Sequence, residues 1–175
     1  MKCERCGAHT ELKRGVYHYV ESGLDNVYLV NVDIRCCESC SSVTPRIPRI
    51  NELHAVIGRA IALKGELLSG AEARYLRKHL GLKGKEWAEL LHVDVATLSR
   101  WEGEERTIGP QSDILIRLLY FNILVERGAS LPERLIESIA AIAERRDNEL
   151  AVLIDPAKRQ TYSYSRQSDV QTCTC

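Results

Sequence analysis

The 175-residue chain has no net charge, since 24 lysines and arginines meet 24 aspartates and glutamates. That argues against attraction to nucleic acid by a global positive field and leaves only a local patch for such a role. No apolar run approaches the length of a membrane span. The N-terminus, Met1-Lys2-Cys3-Glu4-Arg5-Cys6, lacks the apolar stretch of a signal peptide. The expected location is the cytoplasm, with no membrane partner. The seven cysteines are odd in number, which argues against a complete intramolecular disulfide framework. A reducing cytosol favours metal-bound thiolates. There is no internal repeat or low-complexity tract, and no pairing of nucleophile with base or of two carboxylates emerges, so an enzyme is not expected.

Two Cys-x-x-Cys pairs are present, Cys3/Cys6 and Cys37/Cys40. Two short-range pairs of thiolates suit a tetrahedral zinc ion, each pair gripping the metal from one tight turn. Four sulfurs leave no open position, so one structural Zn2+ is expected. Cys36 adjoins Cys37 and offers an alternative Cys-x3-Cys spacing; Cys37 is preferred because it restores two intervening residues. His9 and His18 read as surface histidines, and Cys173 and Cys175 as tail thiols. Val16–Val20 and Val27–Ile34 are rich in β-branched and aromatic residues, with the turn-forming Glu21–Asn26 between them. This is the rhythm of a zinc ribbon, too small to bury much apolar surface without metal.

Beyond it, Pro45 and Pro48 predict an extended connector over Ser41–Arg49. A short helix follows, with Ile50, Leu53, Ile57 and Ile61 at helical spacing and Lys64-Gly65 at its end. Ser69-Gly70-Ala71-Glu72 is a capping box opening a helix with Ala73, Leu76 and Leu80 on one face and Gly81 at its close. Lys85–Leu91 and Val95–Glu102 form two short helices, with His92-Val93-Asp94 as the turn and Asp94 as N-cap. That is a helix-turn-helix pattern. Leu91, Val93, Leu98 and Trp101 are its expected core, with Ala88 permitting close packing. Val95, Ala96, Thr97 and Arg100 should face outward. Arg100 suits a bidentate contact to guanine, and Val95, Ala96 and the Thr97 methyl suit thymine methyls. The Thr97 hydroxyl should reach a phosphate or a base. Lys83, Lys85 and Arg106 are candidate phosphate clamps. A solvated arginine on a plain helical bundle is the competing reading, favoured by nearby Glu102, Glu104 and Glu105.

Pro110 opens a further helix to about Val125, apolar on more than one face, to be covered by the C-terminal helix or by a second subunit. Ser130-Leu131-Pro132-Glu133 reads as a second capping box, with Leu135, Ile139 and Ile142 marking a helix to about Arg146. Glu149–Ile154 reads as a strand, Asp155–Lys158 as a turn and Arg159–Ser165 as a return strand. The polar tail from Gln167 is expected to be disordered.

The order of paired cysteines, β segment, paired cysteines, linker and helix-turn-helix resembles the MqsA (YgiT-type zinc finger) antitoxins and regulators with an Xre-type, lambda-repressor-like domain. Tyr19-Val20-Glu21-Ser22-Gly23-Leu24 and Leu76-Arg77-Lys78-His79-Leu80-Gly81-Leu82 also fit. The resemblance covers Met1 to about Val125. It implies a zinc domain that docks a toxin in some members, and a domain that dimerises and binds an operator, often its own. The family's recognition arginine falls on Arg100. An asparagine used by the best-known member falls on Ala96, which implies a different operator. A common glutamine falls near Gly84, removing one phosphate contact.

The expected fold class is therefore α+β. Residues 1–44 form a zinc ribbon, 45–68 a linker and short helix, and 69–127 a helix-turn-helix domain. Residues 128–166 form a helix and hairpin, and 167–175 a tail. The expected function is a sequence-specific DNA-binding regulator, a repressor or autoregulating antitoxin. The expected partners are a palindromic double-stranded operator, a second copy as homodimer and a toxin. The alternative is a zinc-ribbon protein-interaction module with weak or no specific DNA binding.

Overall fold

The computed structural model describes residues 2–133, 135–142, 150–158 and 161–172. It is mixed α and β, and the chain divides into two compact units. One comprises Met1–Ile57 with Glu149–Cys175, the other Gly58–Asn148. The second is thus inserted, along the sequence, into the first. No helix among the described residues is long and apolar enough to cross a membrane.

The first unit is built on one sheet. β1 (Glu11–His18) pairs antiparallel with β2 (Val27–Cys36). The predicted turn between them holds a 3-10 turn at Val20–Ser22, closed by Gly23 at φ 77°. The predicted connector contains β3 (Val43–Arg46), antiparallel to β2. Pro45 is tolerated there because, among the described residues, β3 pairs with β2 alone, and a strand edge does not need every N–H.

The C-terminal strands enter the same sheet, which the sequence reading did not anticipate. β4 (Leu150–Ile154) runs parallel to β2, with Val27, Tyr28 and Leu29 opposite Val152, Leu153 and Ile154. β5 (Tyr162–Arg166) returns antiparallel, so the expected C-terminal hairpin is present. Asn26 fixes the junction from both sides: its carbonyl accepts from Val152 N–H (2.7 Å), and its side-chain amide donates to Leu150 O (3.1 Å). β2 changes character at Asn31, which sits at φ 55°. Before it, Val27, Tyr28 and Leu29 are all buried; after it, Val32, Ile34 and Cys36 alternate inward. The shift of pairing register in β1 between Gly15 and Tyr17 accommodates this. The N-terminal sheet therefore buries more apolar surface than a free-standing ribbon would. The tail also departs from expectation, because Gln167–Asp169 forms a 3-10 turn and Gln167 donates to Asp25 O at 2.7 Å.

α1 (Ile50–Leu63) carries the boundary between units and spans the helix expected from Ile50 to the stop at Lys64-Gly65. Leu53, Ile57 and Ile61 are buried as predicted, whereas Ile50 is exposed. In the second unit, α2 (Gly70–His79) has the predicted capping box: Ser69 Oγ accepts from Glu72 N–H at 3.1 Å, and Glu72 accepts from Ser69 N–H at 2.8 Å. α3 (Gly84–Leu90), α4 (Val95–Glu102) and α5 (Pro110–Glu126) follow, with Pro110 in the first turn of α5. α6 (Leu135–Ala140) is shorter than expected and starts after the predicted Ser130–Glu133 box. The remainder of that predicted helix, from residue 143, lies outside the described residues, as do Cys173 and Cys175.

A buried ion pair organises this unit. Arg117 and Asp113, one turn apart on α5, are both fully enclosed and joined at 2.6 Å. Arg117 donates to the carbonyls of Ala62 (3.1 Å), Lys64 (2.7 Å) and Glu66 (2.6 Å) as the chain leaves α1, while Asp113 accepts from Leu68 N–H. Buried charge is tolerable only when fully partnered, and here the partners are mostly main chain. Gly58 and Gly70 mark close approaches: a Cβ on the first would strike the Tyr120 hydroxyl, and on the second the carbonyl of Trp101.

Two predictions follow from this architecture. A chain ending at Asn148 leaves the edge of β2 at Val27–Leu29 unpaired. Its melting temperature should fall by about 10 °C or more, given that 1 kcal/mol shifts a small domain by roughly 4–8 °C; an unchanged melt would show that the C-terminal strands are dispensable. Arg117→Met leaves Asp113 buried without its partner and should cost about 3–5 kcal/mol in urea unfolding. A loss below about 1 kcal/mol would contradict this role.

Candidate functional site

Pairing of Glu11 with Cys36 brings the N-terminal cysteine turn beside the one that follows β2. The two turns have the same construction. Cys3 N–H donates to Ala8 O (2.7 Å), and Cys37 N–H donates to Ser42 O (3.0 Å). In each, the residue after the second cysteine is left-handed: Gly7 at φ 75° and Ser41 at φ 52°. Two similar turns thus aim their sulfurs at one point.

The Sγ atoms of Cys3, Cys6, Cys37 and Cys40 lie within 4.8 Å of one another, close enough to hold one metal ion. The Cys3–Cys40 separation is 3.7 Å and the Cys6–Cys37 separation 3.5 Å. A tetrahedron with metal–sulfur bonds of about 2.3 Å places its sulfurs about 3.8 Å apart, so the donor set fits. Ser42 Oγ stands 3.3 Å from Cys3 Sγ. Its hydrogen bond, with those from the Arg5 and Cys6 backbone, brings the Cys3 thiol down to about 6. Ser42 also lowers Cys40. Cys6 is pushed up to about 12: the Ala8 backbone lowers it, but hydrogen bonding to Cys37 and Cys40 and burial outweigh this. Cys36 is fully buried, disulfide-bonded and outside the four-sulfur set. The four clustered cysteines are free, whereas the disulfide at Cys36 departs from the expectation of thiolates over disulfides. His9 and His18 stay outside the set; His18 Nε2 meets Asp25 O at 2.9 Å and its ring stacks on Tyr28.

The second candidate site is the outer face of α3 and α4. Leu91, Leu98 and Trp101 are buried and Val93 half-buried, as predicted, and Ala88 is enclosed. The link between the helices is a Schellman turn, with Val93 N–H donating to Ala88 O and His92 N–H to Glu89 O. His92 takes the left-handed position at φ 52°, which glycine usually fills. Asp94 caps α4 by accepting from Thr97 N–H at 2.8 Å. Glu102, at the other end of α4, is gripped by Arg77 of α2 through two bonds of 2.6 and 2.7 Å, with Arg74 at 3.4 Å. This pairing, invisible in the sequence reading, fixes α4 against α2.

Val95, Ala96, Arg100, Lys83, Lys85 and Arg106 are exposed, as expected. Thr97 needs correction. It is half-buried and its hydroxyl donates to Asp94 Oδ2 at 2.7 Å, so that proton is used within the helix cap. The same bond is the main cause holding the Asp94 carboxyl below its usual range. Three of the nearby acids are also engaged, while Glu89 and Glu105 are exposed. Glu86 accepts from Lys83 N–H, Glu104 accepts from Ala71 N–H, and Glu102 holds Arg77. Lys83, Lys85, Arg100 and Arg106 make no ion pair among the described residues.

Compared with family profiles, with curated proteins and with solved structures, the chain finds no significant match.

The sulfur cluster generates a test. Protein purified without chelator should carry one equivalent of metal by elemental analysis. Cys37→Ser should release it and Cys36→Ser should not. Because metal binding needs thiolates, protons compete with the metal and retention should fall as the pH is lowered into the acid range. Metal-free fresh protein, or full retention by Cys37→Ser, would refute the site.

Proposed function

We propose that the protein is a sequence-specific DNA-binding regulator, with the face of α3 and α4 as a helix-turn-helix and α4 as its recognition helix. The observation that carries this reading is the charge division on that face. Glu86, Asp94 and Glu102 are engaged in caps and an ion pair, while Lys83, Lys85, Arg100 and Arg106 are exposed and make no ion pair among the described residues. Lys83, Lys85 and Arg106 set position on phosphates, and Arg100 reads a guanine edge. The rigid mounting of α4 through Glu102 supports the same role, because base readout requires a helix held at a fixed angle.

The ion in the sulfur cluster is, on this proposal, one zinc, since four sulfurs in a tetrahedral set match its preferences. Its role is to hold the start of the chain against the end of β2. The resemblance to the MqsA and Xre-type regulators supports an autoregulatory repressor, acting as a homodimer on a palindromic operator, with a toxin as the further partner of the zinc unit. Ala96, in place of the family's asparagine, favours an operator unlike that of the best-known member.

Fluorescence anisotropy at physiological salt, on the DNA upstream of the protein's own coding sequence and on scrambled DNA, tests the proposal. Wild-type protein should prefer the upstream DNA, and Arg100→Ala should lose about 1–3 kcal/mol. Equal binding to both would favour the interaction module instead. That outcome would fit the balanced charge of the whole chain.

A further inference from the structure

We infer that a cavity beside the sulfur cluster is a binding site for a small phosphomonoester, held by Arg35 together with Lys2 and Arg5. The cavity has a volume of about 300 Å³ and is also lined by Glu4, Ser42 and Thr44, with Cys3 in one wall. That volume lies at the lower end of small-molecule sites and equals roughly ten waters of about 30 Å³ each. The cavity belongs wholly to the first compact unit, so the inference stands whether or not the face of α3 and α4 binds DNA.

The observation that carries this is the state of Arg35. Its register sets it opposite Thr44 of β3 and Leu12 of β1, so the three share one face of the sheet. Leu12 is 64% exposed, which makes that face the solvent side. The Arg35 side chain is nonetheless only 29% exposed. Its guanidinium makes no hydrogen bond among the described residues, and its one ion pair, to Glu4, is 3.8 Å long. That exceeds hydrogen-bonding range, and Glu4 is 86% exposed, so an incoming anion can displace it. Arg117 and Arg77, by contrast, are supplied with acceptors. Lys2 and Arg5 are exposed and make no ion pair among the described residues, and the Thr44 hydroxyl makes no hydrogen bond among them.

Charge selects the ligand. Three cations against Glu4 leave the cavity an excess of two. A carboxylate or a phosphodiester brings one negative charge, whereas a phosphomonoester brings about 1.5 to 2 at neutral pH and three acceptor oxygens. A guanidinium fork meets such a group through paired bonds. Four thiolates around a divalent ion also carry two excess negative charges, but these are met within the cysteine turns. Cys3 accepts from the backbone of Arg5 and Cys6, Cys6 from Ala8, and Cys40 from Ser42. The three cationic side chains are therefore left for a ligand.

Full-length protein, as purified, would be titrated with inorganic phosphate, glycerol phosphate and acetate, following the Arg35 Nε–H and Thr44 N–H signals by NMR. Both phosphates should shift these signals to saturation, with a dissociation constant of about 1 mM or tighter, and acetate should bind more weakly than either. Arg35→Gln should weaken phosphate binding about tenfold or more, the worth of hydrogen bonds to a charged group. Glu4→Gln, a change at an exposed side chain, should instead tighten it about two- to threefold. Lys13→Gln, next to Leu12 and so on the opposite face of β1, should change nothing. Thermal melting checks the folding of each variant; if Arg35→Gln does not fold, the Glu4→Gln result decides. Glycerol phosphate binding as tightly as inorganic phosphate, or more tightly, supports the site. Shifts that rise without saturating, acetate binding as tight as phosphate, saturation indifferent to Arg35→Gln, or no tightening in Glu4→Gln overturns it. Loss of DNA affinity in Arg35→Gln without phosphate saturation also overturns it, and makes these cations a nucleic-acid surface.

Discussion

The parallel pairing of β2 with β4 is the contact on which the organisation of the chain depends. Parallel neighbours cannot be joined by a tight turn and need a crossover. Here the crossover contains an entire helical unit, since Gly58–Asn148 falls, along the sequence, between two strands of one sheet. Loop-closure entropy grows only slowly with length, which makes so long a return thermodynamically tolerable. Val27, Leu29, Val152 and Ile154 are almost wholly enclosed, and their burial together with the two Asn26 bonds offsets that cost. The opposite end of β2 carries Cys36 and leads into the second cysteine turn. One strand thus supports both the return of the chain and half of the metal-binding set.

The inserted unit relies on enclosed charge. Arg117 with Asp113, Lys64 with Glu72, and Arg77 with Glu102 are all largely buried. The last two join separate segments directly, and the first, within α5, does so through its further bonds to the main chain at Ala62, Lys64, Glu66 and Leu68. Arg117 gathers the carbonyls released at the end of α1, which lack helical partners for the reason all C-terminal carbonyls do. Glu102 holds the end of α4 to α2. The result for surface charge is not apparent from composition: a balanced chain carries a face on which several acids are occupied and four cations make no ion pair among the described residues.

Local signals were read with good accuracy. The capping box at Ser69, the Asp94 cap, Pro110 at the start of α5 and the stop at Gly81 each depend on neighbours a few residues away, which a sequence displays directly. The four clustered cysteines were legible because tetrahedral coordination imposes a spacing. Thr97 was misjudged because its hydroxyl lies within reach of two possible partners, the groove and the cap. The choice follows from side-chain geometry at 2.7 Å. At the start of the C-terminal tail, where polar composition predicts disorder, Gln167 finds a carbonyl far away in the chain.

The sequence by itself determined most of the helices and their caps, the outward placement of Val95, Ala96 and Arg100, and the pairing of the four clustered cysteines, because all of these rest on periodicity, capping and spacing over short distances. Tertiary structure alone decided that β4 lies beside β2, that Arg117 closes the end of α1, and that Glu102 is spent on Arg77. Each of those joins residues at least 25 positions apart. Such partners are selected by the shape of the folded chain and the need to satisfy buried polar groups, and nothing local to either residue announces them.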